Sequence, residues 1–341
     1  MTRKIPDYAN DESRFQTSRS TLFVDRLMTI FIKLGGVLVI ASVLGIFAFI
    51  LIQIWPLFAP ARIDEIKSVQ LPQTPFALLG IDEWGALPFL VEPDGRMLAV
   101  NAETGEISEK TIDFGTPMKI TAATLNKREQ KIIVGTDDGR FSIISPNYTS
   151  TESSGSQIIQ IDPQAEAAIP LGLPNVPIED IAYGDSGTSK LVVVLQTLDG
   201  KPNLSAAVFK RKKTLMGFGK EQRVGTYDPT PLISGRPTKI LVPGSGDAVL
   251  ILTDDGRVHY LGLSESGFEL RQTFTPFEDL PDRHIKTAAF IFGDVSISFA
   301  SNSGANRVFS LYYPKGRDQR TFGLTHTFPD LGAAPTFLIS T

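Results

Sequence analysis

The stretch KIIVGTDDGRFSIIS, residues 131–145, runs from an apolar segment through Asp138-Gly139-Arg140 into a second segment rich in isoleucine. Asp-Gly accepts the positive φ values that tight hairpin turns require, and between two apolar runs it is the strongest short-range signal for a β-hairpin. The same tripeptide stands at Asp94-Gly95-Arg96 and at Asp255-Gly256-Arg257. Strands are therefore expected over residues 87–92, 131–136 and 248–253 before these turns, and over 97–101, 141–145 and 258–263 after them. Looser copies occur at Asp199-Gly200, after an apolar run at 191–195, and around Ser303-Gly304, between 295–300 and 308–313.

A second marker sets the period. Segments opening at Pro75, Pro117, Pro177, Pro237, His284 and Pro335 each begin an apolar strand ahead of a hairpin, at intervals of 42, 60, 60, 47 and 51 residues. Each unit reads as an opening strand, a two-strand hairpin and a variable outer strand, for example 157–161 and 268–274. Four strands in about 40–50 residues is the signature of a propeller blade, and blades bury their apolar faces only against one another. The expectation is an all-β, β-propeller-like domain over residues 74–341, with about five complete blades and the start of a sixth. A terminal strand, Thr336 to Thr341, would leave an unpaired sheet edge. It belongs either to a longer polypeptide or to the closure of the ring.

Upstream, residues 34–52 contain no charged side chain, and the uncharged stretch continues to Ala61. Nineteen helical residues span about 28 Å, close to the hydrocarbon thickness of a bilayer. The anchor residues are Leu34, Ile40, Leu44, Phe47 and Ile52, with Trp55 and Phe58 as interfacial aromatics. Arg14, Arg19, Arg26 and Lys33 precede the span, against Arg62 and Lys67 after it, so the positive-inside rule places the N-terminus in the cytoplasm. The expected organisation is a largely disordered cytoplasmic leader (1–26), a transmembrane helix with its interfacial flanks (27–58), a linker (59–73) and the propeller on the outer side of the membrane. A signal peptide cleaved near Ala61 is the competing reading, disfavoured by an apolar segment longer than the usual h-region.

Residues 1–33 carry six basic and four acidic groups, so the whole-chain charge of −4 leaves −6 on the rest. An acidic domain is a poor polyanion binder, which argues against nucleic acid as a partner. Cysteine is absent, which excludes thiol nucleophiles, thiolate metal sites and disulfides. No cofactor motif is found. Lys210, Arg211, Lys212 and Lys213 read first as a solvated hairpin loop and second as an anion, lipid-headgroup or partner contact. Gly184-Asp185-Ser186-Gly187 echoes a serine-protease nucleophile stretch but falls at a turn, and His259, His284 and His326 lie in no local catalytic signature. The acid pairs Asp137-Asp138 and Asp254-Asp255 suit turn chemistry, because aspartate bonds nearby backbone amides.

Val24-Asp25-Arg26-Leu27 through Gly35-Gly36, Leu44-Gly45-Ile46-Phe47, Trp55-Pro56-Leu57-Phe58, the Asp-Gly-Arg hairpins and the segment Lys210 to Leu215 resemble the large-form permease subunit of bacterial phosphate ABC transporters. The resemblance covers most of the chain. It implies a cytoplasmic leader, a first transmembrane helix and a propeller-like periplasmic insertion, with the translocating helices later in the family's sequence. Implied partners are the bilayer, the other transporter subunits and a periplasmic phosphate-binding protein. No phosphate-contacting residue can be carried over, because the permease motifs are not in this sequence. Two alternatives stand beside it: a stand-alone envelope scaffold, and a propeller hydrolase or dehydrogenase, for which no catalytic constellation is found.

Overall fold

The computed structural model describes residues 18–58, 75–82, 84–102, 104–153, 156–214, 217–291, 293–316 and 319–335. Most of the expected leader, the linker 59–73 and the terminal strand 336–341 lie outside the described residues. The chain divides into two compact units, Met1–Ser68 and Val69–Thr341.

The first unit is α1 (Arg19–Ile54), followed by a 3-10 turn at Trp55–Phe58. Ser18 caps it by accepting from the amide of Thr21, which satisfies one of the free N–H groups of a helix start. This cap corrects the expected boundary. The helix begins eight residues before Leu27, inside the segment expected to be disordered, because Ser18 supplies a start signal and Arg19 to Leu27 holds no glycine or proline.

In the second unit, blade 1 comprises β1 (Leu78–Gly80), β2 (Phe89–Val91), β3 (Arg96–Val100) and β4 (Ile107–Thr111). Blade 2 is built on β5 (Ile120–Asn126), β6 (Lys131–Thr136) and β7 (Arg140–Ser145). A separate hairpin, β8 (Tyr148–Ser153) and β9 (Ser156–Ile161), follows, and the outer edge of blade 2 is completed by the short strands β10 (Gln164–Ala165) and β11 (Ile169–Pro170). Blade 3 holds β12 (Ile178–Asp185), β13 (Ser189–Leu198), β14 (Lys201–Thr214) and β15 (Gly217–Tyr227). Blade 4 holds β16 (Pro237–Leu241), β17 (Ala248–Thr253), β18 (Val258–Ser264) and β19 (Gly267–Phe274). Blade 5 holds β20 (Ile285–Ile291), β21 (Ser296–Ser301), β22 (Asn306–Tyr312) and β23 (Thr321–Phe328). Every pairing within a blade is antiparallel between neighbours, so the second unit is all-β and propeller-like.

The run 157–161, expected as the outer strand of blade 2, is instead half of the detached β8–β9 hairpin. Its sequence, Gln-Ile-Ile-Gln-Ile, suits a strand, and Tyr148 to Ser153, nearer in the chain than β7, pairs with it.

The core lies between blades rather than within them. Ile132 and Val134 of β6 face blade 1 while Ile133 faces blade 3, as the two-residue period of a strand dictates. Likewise Val192 and Val194 face blade 2, and Leu191, Val193 and Leu195 face blade 4. Ala248, Leu250 and Leu252 of blade 4 then meet Ile297 and Phe299 of blade 5. This double-sided burial explains why the second strands read as nearly continuous apolar runs. The face of β21 turned away from blade 4 differs. It carries Ser296 and Ser298, whose hydroxyls pair with Ser310 and Asn306. Among the described residues no fifth apolar cluster joins blade 5 to blade 1.

Candidate functional site

The first strands of blades 2 to 5 converge on a cavity of about 530 Å³, lined by Asn126, Asp180, Lys239, Phe290 and Asp294 among others. Each of these strands carries a bulge at its start, at Ile120/Ala122, Ile178/Asp180, Pro237/Lys239 and Ile285/Thr287. A bulge adds twist and re-aims the strand, which fits four sheets around one axis. Single side chains stitch the junctions. Thr121 Oγ1 donates to the Ile178 carbonyl at 2.7 Å, Asp180 accepts from the Ile240 amide at 2.7 Å, and Asp294 accepts from the Gly244 amide at 2.8 Å.

Asp180 is a half-buried carboxylate on this wall. Burial pushes its carboxyl above the ordinary range, against the opposing pull of Lys239 and the Ile240 amide. The Lys239 ammonium stands 3.4 Å from it and is itself 43% exposed, so the pair opens to the cavity on one side only. Asp180 and Lys239 thus satisfy each other.

The Asp-Gly-Arg turns share one construction. In blades 1, 2 and 4 the glycine amide bonds the carbonyl three residues back, at Glu92, Thr136 and Thr253. Gly95, Gly139 and Gly256 take φ of +86°, +81° and +80°, whereas the preceding aspartates do not enter that region. This is a type I turn closed by a left-handed glycine, and it refines the expectation that Asp-Gly adopts positive φ as a pair. Only Asp199-Gly200 does so, at +51° and +74°, in a two-residue hairpin between Leu198 and Lys201. The aspartate instead grips the arginine: Arg96, Arg140 and Arg257 donate through Nε to Asp94, Asp138 and Asp255 at 2.8, 2.7 and 2.6 Å. Thr136 and Thr253 add hydroxyl bonds to the same aspartates at 2.6 Å. At Asp255 burial pushes upward, but the bonds from Arg257 and Thr253 prevail and hold the carboxyl down at about 2. The glycine is required twice over. A Cβ on Gly139 would strike the Leu173 carbonyl, and one on Gly256 the Arg283 carbonyl, each on the segment leading into the next blade. Ser303-Gly304 keeps this backbone, with Gly304 at +97° and Ser301 in the threonine place.

The basic run departs from its expected loop. Lys210 to Lys213 lie within β14, whose pairing to β15 continues as far as Thr214 with Gly217. Lys210 is exposed, and Arg211 bonds Glu221 at 3.0 Å. Glu221 also receives the buried Lys190 at 2.7 Å. Nearby, the Tyr183 hydroxyl donates to Asp185 at 2.8 Å, and burial together with that carboxylate pushes the phenol far above its ordinary value. Reading by segment missed both groups. The signal available was Lys190, a lone charge directly before the apolar run 191–195.

The histidines are apart in chain and role. His259 bonds Thr273 Oγ1 and the Ser234 carbonyl, His284 bonds Asp282, and His326 stacks edge-on against Phe328. Ser186 bonds the Ser189 carbonyl in a turn after β12. Among the described residues no group of three or more His, Asp or Glu could hold a metal ion.

On α1, Leu34, Ile40, Leu44, Phe47 and Ile52 are all exposed, as are Trp55 and Phe58 beyond it. The helix is long and apolar enough to cross a membrane. From Leu34 to Ile52 the helix is apolar on every side, which suits lipid rather than water.

No protein-family profile matches the chain, and no curated protein matches it. Solved structures do. The β-propeller domain of Cps50 (Swd1) from Myceliophteria thermophila is 13% identical, covering 76% of this chain and 74% of its own, with a TM-score of 0.46. A candidate 6-phosphogluconolactonase of Bacteroides uniformis is 14% identical over 79% and 76%, TM-score 0.43, and the Dos1 propeller is 10% identical over 77% and 72%, TM-score 0.42. At such similarity none of them bears on activity.

Proposed function

We propose that the chain is a membrane-tethered propeller of a phosphate-import permease, held outside a bacterial inner membrane as a docking or assembly platform for a phosphate-binding protein and the other transporter subunits. The observation that carries it is α1, apolar on every side from Leu34 to Ile52, ahead of an all-β unit in which five blades are described. The excess of basic residues before the span supports a cytoplasmic N-terminus. The resemblance of the helix flanks and hairpins to the permease family supports phosphate as the cargo.

Expressed in bacteria with an N-terminal tag, the full chain is expected to resist alkaline extraction. Protease added to spheroplasts should then digest the propeller and spare the tag. Cross-linking in phosphate-starved cells should capture a phosphate-binding protein or a transporter subunit. A soluble product trimmed after Ala61 would overturn the tether, and capture of neither partner would overturn the docking role.

A further inference from the structure

The hairpin of β14 and β15 outgrows its blade. The last pairing of β14 to β13 is Lys210 with Ser189, and the Arg211 amide still bonds the Thr188 carbonyl, yet β14 runs on to Thr214, paired there with β15 through Lys213–Phe218 and Thr214–Gly217. Three residues beyond the last bond to the blade, at about 3.3 Å each, give a two-stranded ribbon that extends roughly 10 Å. A bulge between Arg211 and Lys213 twists it further, and such twisting guards a ribbon's edges from pairing with other strands.

Charge concentrates on this ribbon and its root, where Lys210 and Arg223 still lie within the sheet. Residues 210–223 hold six basic groups, Lys210, Arg211, Lys212, Lys213, Lys220 and Arg223, against the one acid Glu221. The segment is +5, while the other residues after Ala61 sum to −11. The single acid is engaged at the base of the ribbon by the buried Lys190 and by Arg211, which fixes the ribbon's root in blade 3. Arg223 is held at the root by the Pro170 carbonyl at 3.2 Å, and Lys210, Lys212, Lys213 and Lys220 are distributed over both strands.

We propose that this ribbon is a second membrane contact, which docks on the anionic phospholipid headgroups of the bilayer that α1 enters. The chemistry is complementary. Clustered Lys and Arg within a Debye length of an anionic surface each strengthen adsorption about fivefold, whereas the acidic remainder of the domain is repelled. Tethering by α1 makes the contact intramolecular, so a modest intrinsic affinity suffices to hold the propeller in one orientation. The proposal rests on α1 as the anchor, and its test separates the two.

Because the chain lacks cysteine, Gly219→Cys gives a single labelling site on the ribbon. The labelled full chain is reconstituted in vesicles of phosphatidylcholine alone or with phosphatidylglycerol, each carrying headgroup nitroxide quenchers. Flotation with neutral vesicles reports the anchor; quenching reports the ribbon. The expected result is flotation in both lipids, with quenching only in anionic vesicles and its loss in high salt. Reversing Lys210, Lys212 and Lys213 to Glu should reduce quenching to the neutral-lipid level. The same charge change at exposed Lys110, Lys201 and Lys286 should leave it intact. Equal quenching in both lipids, or quenching that survives the ribbon reversal but not the control reversal, overturns the proposal. Abolition by millimolar inorganic phosphate at constant ionic strength also overturns it, in favour of a free-anion site. Failure to float with retained quenching in anionic vesicles would instead overturn only the anchor. Circular dichroism of each variant confirms that the sheets are intact.

Discussion

Replacing Gly256 by alanine isolates how the blades are spaced. At a φ of +80° an alanine pays about 1–2 kcal/mol for left-handed backbone. Stiffening the unfolded chain returns about 0.4–1 kcal/mol of that. The new Cβ would also overlap the Arg283 carbonyl, on the segment that delivers β20 to blade 5. Backbone is hard to displace, so overpacking adds about 1–3 kcal/mol. Gly200 supplies the control. Its φ is +74°, but nothing lies within 4 Å of its would-be Cβ. Gly200→Ala should therefore cost about 1 kcal/mol or less, and Gly256→Ala about 1–3 kcal/mol more. Urea denaturation of the full chain in detergent micelles, followed by far-ultraviolet circular dichroism, measures both. Gly256→Asn, which tolerates positive φ, should recover the backbone cost and not the steric one. If Gly256→Ala proves no worse than Gly200→Ala, the next blade does not lean on this turn and the reasoning fails.

Phe299 is fully buried against Phe274 and Phe309 between blades 4 and 5, so Phe299→Ala should cost about 3–5 kcal/mol in the same assay, while exposed Tyr313→Ala stays within about 0.5 kcal/mol. A small loss at Phe299 would show that the cluster does not join the blades. The Asp255 carboxyl is held at about 2, below its unfolded value near 3.9, so its contribution is complete above pH of about 4 and is lost as pH falls toward 2. Arg257→Gln should flatten stability against pH in that window, and an unchanged acid limb would refute the clasp. Asp180 has the opposite sign: its folded carboxyl is raised, so it favours the folded state more as pH drops through that raised value. Lys239→Ala should therefore destabilise at neutral pH and recover on acidification, whereas the double variant with Asp180→Asn should show no such recovery; pH-dependent thermal melts distinguish them.

The hairpin β6–β7 and the opening strands after Pro117, Pro177 and Pro237 were legible because turn chemistry and alternation are local properties. Strand β6 falls at residues 131–136 as expected, and β17 at 248–253. The arginine of each Asp-Gly-Arg was unread as a clasp, although its spacing recurs three times, because the hairpin argument needed only the first two residues. Lys210 to Lys213 was misread as a loop, since a run of charges carries no apolar alternation while β13 and β15 supply the pairing. The outer edge of blade 2 was misassigned because two candidate strands compete for one position, and only packing settles which one takes it.

By itself the sequence determined that a bilayer-length apolar helix precedes a series of hairpins, since both follow from short-range rules: a charge-free run of helical length, and glycines that enter left-handed turns without strain. Tertiary structure decided which distant groups meet. Asp180 reaches Lys239 and the Ile240 amide, and Lys190 reaches Glu221, only after bulges and registers accumulated over dozens of residues have aimed their strands. Each error of one residue in such a register turns a side chain to the opposite face. That is why the convergence of the inner strands, and the ribbon that overshoots blade 3, exist only in the folded chain.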